Sequence, residues 1–356
     1  MSLSKVKSLL KGLYASASPQ ARDLEFLLGL DGHLAQREIF EFADGVRRAS
    51  VGEGIFLRGV IEFSNFCRNR CFYCGLHSGN GRLIRYRLSQ EKILNSVSHI
   101  AESGIKTVVL QSGDDPGMAR EWLSDIIRDI KMRLDIAVTL SVGERDYQDY
   151  KAWRQAGADR YLLKIETSDP ALYSSLHYGM DFKRRLECLR DLKELGYQTG
   201  SGNIIGLKGQ TLESIAGDIA FFKKEGFEML GIGPFIPHSE TPLAGQQKGE
   251  AGLTLRAVAL TRIVLKSANI PATTALGVHD ADYRARALRC GANVLMVNFT
   301  PREYRGLYQI YPGKGYLEGA SEGWLSGASK ITHDSGRFID YSRGDAALNR
   351  GEPEYV

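Results

Sequence analysis

From about residue 55 to about residue 300 the chain alternates short β-branched apolar runs with longer stretches whose apolar residues recur every three or four positions. The strand-like runs are LRGVIEF (57–63), KTVVLQS (106–112), DIAVTLS (135–141), RYLLKIE (160–166), TGSGNII (199–205), MLGIGPFI (229–236), IPATTA (270–275) and NVLMVN (293–298). Helical periodicity fills the intervals near 89–103, 119–132, 146–156, 181–195, 211–225, 253–266 and 281–290. Trp122, Ile126, Ile127 and Ile130 share one face of the second of these, as do Leu186, Leu189, Leu192 and Leu195 of the fourth. Strands joined by helical crossovers predict parallel pairing. An α/β fold of the closed (β/α)8 TIM type is the simplest sheet that leaves no exposed edge. An open doubly wound sheet is the alternative, because periodicity does not report closure. In either fold, ligand chemistry gathers at the C-terminal ends of the strands.

The flanks differ from this middle. Residues 1–50 read as a helical N-terminal extension, expected to cover the bottom of the barrel; 51–318 form the barrel. Residues 319–356 are rich in Gly, Ser, Asp and Arg, with weak periodicity, and read as a loop-rich tail holding at most one short helix. The run GSGNIIGLKGQT lacks the residue order of a phosphate loop and reads instead as strand, turn and helix start, with Thr211 as N-cap.

Charge and composition remove whole classes of function. The net charge of +4 arises from 46 basic and 42 acidic residues, which gives no electrostatic reason to expect a nucleic-acid partner. No apolar run approaches the ~20 residues that span a bilayer, and the first residues interleave charges with their leucines, unlike a secretion signal. A cytoplasmic enzyme is expected. The 5 cysteines cannot all pair with one another. Cys188 and Cys290 stand alone and read as packing thiols, whereas Cys67, Cys71 and Cys74 form a Cys-x-x-x-Cys-x-x-Cys group just past the first strand.

Soft thiolates at that spacing suit iron–sulfur or zinc. Three thiolates can hold three irons of a four-iron cubane and leave the fourth open to a chelating small molecule. Two other readings compete: a zinc-stabilised barrel that binds a ligand or partner without radical chemistry, with His77 as fourth ligand, and a redox dithiol of Cys71 and Cys74, which leaves Cys67 without a role. The position at a strand's C-terminal mouth favours the open cluster. Two glycine-containing strand ends add candidates. Gln111-Ser112-Gly113-Asp114-Asp115 either lets the backbone approach a ligand or simply turns into the next helix. Gly231-Ile232-Gly233-Pro234 either faces a ligand or lets two layers pack closely.

The cysteine group with Tyr73 before its last cysteine resembles the signature of the radical S-adenosylmethionine (SAM) superfamily. Within it, RGVIEFSNFCRNRCFYCGL, VVLQSGDDP, AVTLSVGE, AGADRYLL, CLRDLKELGYQTGSG, GIGPFIPHSETPLA, IPATTALG and LYQIYPGK resemble the HydE family of FeFe-hydrogenase maturases, over roughly residues 20–318. Biotin synthases and methylornithine synthases are more distant kin. The resemblance implies one [4Fe–4S] cluster on Cys67, Cys71 and Cys74. It implies SAM chelated at the open iron and cleaved by one electron to methionine and a 5′-deoxyadenosyl radical. It also implies a donor of the reduced ferredoxin or flavodoxin type, a small cysteine- and iron-containing substrate, and a hydrogenase maturation scaffold protein as partner.

By the same resemblance, Tyr73 packs near adenine, and Gln111, Ser112 and Gly113 lie beside the methionine amino group, with Thr139 on the adjoining strand. Glu166 holds the amino group or the ribose hydroxyls. Arg185 holds the SAM carboxylate, with Arg184 competing for that role, and Gly231 and Ile232 approach adenine through the main chain. Thr273, Thr274 and Lys164 face a substrate carboxylate, while Tyr304 and Tyr308 close the mouth. Three features depart from the family. Lys164-Ile165-Glu166-Thr167 stands where the family reads Arg-His-Glu-Thr, which keeps the charge but loses the planar fork. His279-Asp280 is more polar than expected and belongs either to a changed substrate site or to a solvated loop. The tail lacks the cysteines of an accessory cluster. The first two motivate an alternative, a paralogue acting on another small carboxylate, amino acid or thioether.

Overall fold

The computed structural model describes residues 3–314 and 325–346. Its strands are β1 (Gly54–Ser64), β2 (Arg70–Cys71), β3 (Thr107–Ser112), β4 (Ala137–Ser141), β5 (Arg160–Leu162), β6 (His177–Tyr178), β7 (Gln198–Ile205), β8 (Met229–Pro234), β9 (Val294–Asn298) and β10 (Phe338–Asp340). All pairings of the main sheet are parallel, in the order β1-β3-β4-β5-β7-β8, and β9 returns to β1. Between β8 and β9 the ring is joined by residues 269–271, through the bridges Met229↔Asn269 and Pro271↔Val294. The sheet therefore closes as an eight-membered parallel ring, and the open-sheet alternative falls.

The outer helices follow the predicted periodicity. Gln90–Glu102 is capped by Ser89, which accepts from the Lys92 N–H, and buries Ile93, Val97 and Ile100. Arg120–Arg133 buries Leu123, Ile126, Ile127 and Ile130. Leu212–Glu225 begins at Thr211, whose hydroxyl accepts from the Ser214 N–H, while the Ser214 side chain accepts from the Thr211 N–H; this reciprocal pair satisfies two otherwise orphaned donors.

Four departures matter for the site. The fourth strand ends at Leu162 rather than 166, and the chain returns to pairing only at Glu166↔Asn203. The run 270–275 is not a strand beyond its bridge; Thr273 instead precedes a short helix, Thr274–Gly277. Helix Pro170–Leu176, capped by Asp169, leads into the two-residue pairing of β2 with β6. Finally, the N-terminal helices Leu3–Ala15, Ala21–Leu28 and His33–Val51 do not close the barrel's bottom. They pack on the outer helices Leu212–Glu225 and Ala251–Val264.

The tail closes the bottom instead. Helix Ser326–Asp334 precedes β10, which pairs with the first residues of β1, Gly54–Phe56. The Gly344 carbonyl accepts from Arg58 and Asn269, the Arg343 carbonyl accepts from Thr107 Oγ1, and Asp345 pairs with buried Arg160. The 318/319 boundary lies outside the described residues. Among the described residues no helix is long and apolar enough to cross a membrane.

Candidate active site

Strand β1 delivers the chain to a cysteine loop that is held from several sides. The Asn65 amide donates to the carbonyls of Ile84 and Leu307, and its oxygen accepts from the Tyr86 N–H. Arg85 donates to the carbonyls of Asn65, Leu76 and His77. Asp115 accepts two 2.7 Å bonds from Arg87 and one of 2.6 Å from Ser64. The Asp114 carbonyl accepts from the Arg68 N–H. Gly113 sits so close to this loop that a Cβ there would lie 2.2 Å from the Phe66 carbonyl oxygen. Its conformation is thus required by backbone packing against the cysteine loop. On the opposite side the Phe72 N–H donates to Leu176, and Cys71 is in register with His177.

Cys67, Cys71 and Cys74 line one cavity of about 410 Å³ in the barrel's interior. Burial raises all three thiols, Cys71 to about 12, and neighbouring thiols reinforce the effect at Cys71 and Cys74. Bare thiolates are therefore disfavoured, and a bound cationic cluster is what would replace their protons. The zinc reading fails on geometry. The His77 Nε2 is hydrogen-bonded to the Glu240 carbonyl at 2.7 Å, and among the described residues no three His, Cys, Asp or Glu side chains gather as single-ion ligands. A cubane spreads its three thiolates over three irons.

Polar groups enter the cavity from the ends of β4, β5 and the following segments. Glu166 is the non-glycine residue of the described chain with a left-handed backbone, φ 65°, a conformation that persists only where the surroundings enforce it. Its carboxylate lies 2.8 Å from the Lys164 ammonium. Arg185 is 7% exposed; it donates to Glu144 at 2.5 Å and to the Lys164 carbonyl. Burial works against its charge, but Glu144 outweighs that and holds the guanidinium above its usual range. Arg184, in contrast, is turned to Asp146 and Glu187 and does not line the cavity, so the competition between the two arginines resolves to Arg185. The Thr139 hydroxyl is buried, lines the cavity and has no hydrogen-bond partner. Gln111, Ser112, Gly113, Tyr73 and Gly231 also line it.

Several expected residues stand elsewhere. The Ile232 side chain is fully buried off the cavity, because alternate residues of β8 face opposite sides, and its carbonyl accepts from Thr273 Oγ1. Tyr304 does not line the cavity. Its hydroxyl accepts from Lys92 and its ring packs on Tyr86, with centroids 4.9 Å apart. The helix carrying it ends at Arg305, so the four-residue spacing to Tyr308 imposes no common face; Tyr308 does reach the cavity. Thr273 and Thr274 line it from the start of a short helix rather than from a strand. His279 is tied to Asp280 and to the Gly249 carbonyl, outside the cavity, which makes this pair a loop fastening.

Sequence reading missed two cavity features. Glu62, 1% exposed on β1, pairs with Lys314 and accepts from Asn298; a carboxylate within the apolar run VIEF was its signal. His177, 1% exposed, bonds to the Tyr73 hydroxyl at 2.8 Å and stacks on Tyr173, and burial lowers its pKa to about 3. It lies on a two-residue strand that leaves no periodic trace.

With this geometry in place, comparison with known proteins assigns the family. The sequence model of the radical SAM superfamily matches residues 61–222. The [FeFe] hydrogenase maturase subunit HydE of Thermotoga maritima is 51% identical over 276 residues, which is 78% of this chain and 79% of that protein. The chain belongs to the HydE family of radical SAM enzymes. A 3-methylornithine synthase of Methanosarcina acetivorans is 29% identical over 275 residues, 77% of each chain. The solved structure of methylornithine synthase (PylB) superposes with a TM-score of 0.82 at 24% identity, covering 93% of this chain and 97% of that one, and supports the barrel fold. Membership of a HydE-type radical SAM family implies a [4Fe–4S] cluster, SAM, a small-molecule substrate and an electron donor. The three buried thiols, the orphaned Thr139 hydroxyl and the fixed Arg185 cation fit those groups.

Proposed function

We propose that this chain is a cytoplasmic maturase that cleaves SAM at a single cluster on Cys67, Cys71 and Cys74 and acts on a small cysteine- and iron-containing precursor in FeFe-hydrogenase maturation. A reduced ferredoxin or flavodoxin would supply the electron, and a maturation scaffold protein would receive the product. The observation that carries this reading is convergence: the three thiols, Glu166 with Lys164, Arg185, and Thr273 with Thr274 all face one cavity in a HydE-family chain.

When bound, the reduced cluster would supply one electron to the sulfonium of SAM, releasing methionine and a 5′-deoxyadenosyl radical. The protein binds, orients and excludes water. Arg185, fixed by Glu144 and the Lys164 carbonyl, offers its remaining donors to a carboxylate without reorganising. Thr139 supplies a hydroxyl that only a ligand satisfies. Gly231 leaves the wall beside Lys164 low, where a flat ring can approach. Val60, Val109, Leu230 and Met296 give the cavity an apolar lining that limits water near a reactive radical.

One observation favours the paralogue reading. The Lys164 ammonium, which replaces the family's arginine, is engaged by Glu166 at 2.8 Å and so is less available to a substrate carboxylate. Incubation of the reduced, SAM-loaded protein with the iron–cysteine precursor separates the two. An S-adenosylated product is expected, and Thr273→Val with Thr274→Val should raise the precursor concentration needed about tenfold, as loss of one charge-assisted contact does. No product with SAM cleavage intact would establish the paralogue.

A further inference from the structure

We propose that His177 is a positioning residue that holds the Tyr73 hydroxyl proton away from the Cys71 sulfur and thereby keeps the cluster's reduction potential low. The inference rests on the reading of Cys67, Cys71 and Cys74 as cluster ligands.

A phenol has one proton to give and lone pairs to receive with. The Tyr73 hydroxyl lies 2.8 Å from the His177 Nε2, and it is also within hydrogen-bonding reach of the Cys71 thiol. Two acceptors therefore compete for one proton. The other side of the imidazole decides the outcome. The His177 Nδ1 lies 2.9 Å from the Tyr173 carbonyl, which can only accept, so Nδ1 carries the ring hydrogen. In the neutral ring Nε2 is then a bare acceptor aimed at Tyr73. A nitrogen lone pair is a stronger acceptor than a sulfur ligated to iron, and the proton goes to His177.

The imidazole is not free to abandon this role. It is stacked on the Tyr173 ring with centroids 3.9 Å apart, and Phe182 packs edge-on against the far side of that stack at 5.2 Å. The pairing of β2 with β6 places His177 directly across from Cys71, so ring and ligand sit on adjacent backbones. The Tyr73 ring meets the imidazole edge-on, at 77°.

The consequence is electronic. A hydrogen bond donated to a cluster sulfur stabilises the reduced, more negative state and raises the potential. Reduction of a sulfonium needs a strongly reducing cluster, so a tyrosine hydroxyl beside a ligand sulfur works against the reaction unless its proton is taken elsewhere. His177 takes it.

The test is a redox titration followed by electron paramagnetic resonance, on anaerobically reconstituted full-length protein without SAM, after iron and sulfide have been counted. His177→Phe frees the Tyr73 proton and should raise the midpoint potential. Tyr73→Phe, and Tyr73→Phe combined with His177→Phe, should both stay at the wild-type value, because neither has a proton to redirect. His177→Gln, whose amide oxygen accepts the same proton, should return toward wild type. An equal rise in the single and double variants would show that the loop has merely been distorted, and no rise in His177→Phe would show that the proton never reaches sulfur; either overturns the proposal. If Phe at this position blocks cluster loading, His177→Leu is read in its place, and loss of loading in both makes His177 a support of the loop and overturns it too. Wild-type protein that forms no four-iron cluster would instead refute the cofactor reading beneath it.

Discussion

At Gly113 a single missing methyl group decides where the cysteine loop lies. A Cβ at this position would meet the Phe66 carbonyl oxygen at 2.2 Å and the Cys67 Cβ at 2.9 Å, both rigidly placed. Gly113→Ala is therefore expected to leave the barrel folded, as read by circular dichroism, while iron bound per chain falls by half or more. Unchanged loading would mean that the loop has slack the packing does not show. Asp218 acts one layer further out. It accepts from the Ser168 N–H and hydroxyl and from the Asn203 amide, and so braces the segment around Glu166. Burial raises its carboxyl to about 6 in spite of those bonds. The folded protein thus holds this proton more tightly than the unfolded chain, whose carboxyl titrates near 4. Its contribution to stability is largest below about pH 4 and declines as pH rises to about 6. Chemical denaturation across that interval should show the advantage of wild type over Asp218→Asn shrinking with rising pH; a constant or growing gap would contradict the assignment. Residues of this scale were legible where chemistry is carried by type and spacing, as with the cysteines, Glu166 and Arg185. Ile232 and Tyr304 were misplaced because direction along a short strand or a single helical turn is set by tertiary packing, which spacing does not encode.

The tail shows the same limit for whole elements. Its polar composition reads as loop, yet β10 adds to the foot of β1 and residues 343–345 close the barrel's floor. Those residues are polar because their partners are polar: Arg58, Thr107, Arg160 and Asn269 all point toward the floor from buried positions. Arg160 is fully buried and relies on Asp345 as its paired carboxylate, with Gln198 and Thr107 accepting its other bonds. Asp345→Ala should cost about 1–2 kcal/mol, less than the 3–5 of a fully buried pair because Asp345 is 41% exposed. A denaturation midpoint that does not move would show that the floor is held by carbonyls alone. The strands of the barrel and their outer helices were readable because burial on one or both faces imposes a period. The segment at 269–271, reduced to two bridges, kept its apolar residues but not its strand, since Thr273 turns the chain into a short helix.

For the molecule as a whole, closure of the ring and the direction of its strands bring the ends of β1, β3, β4, β5 and β8 around one cavity, and this is where the chemistry-bearing residues meet. The class of fold followed from alternation of strands and helices; closure required the bridges on either side of Pro271. The family followed from motifs spread over most of the chain, and a relative 51% identical over 78% of it bears that out. The central claim is that the three thiols hold a cluster whose open iron receives SAM. Electron paramagnetic resonance of the anaerobically reconstituted, reduced protein, recorded with and without SAM, tests it most directly. The account predicts a reduced four-iron signal that changes when SAM is added. A four-iron signal indifferent to SAM would contradict it, leaving the cysteines as ligands but removing Glu166, Arg185 and the radical chemistry from the site.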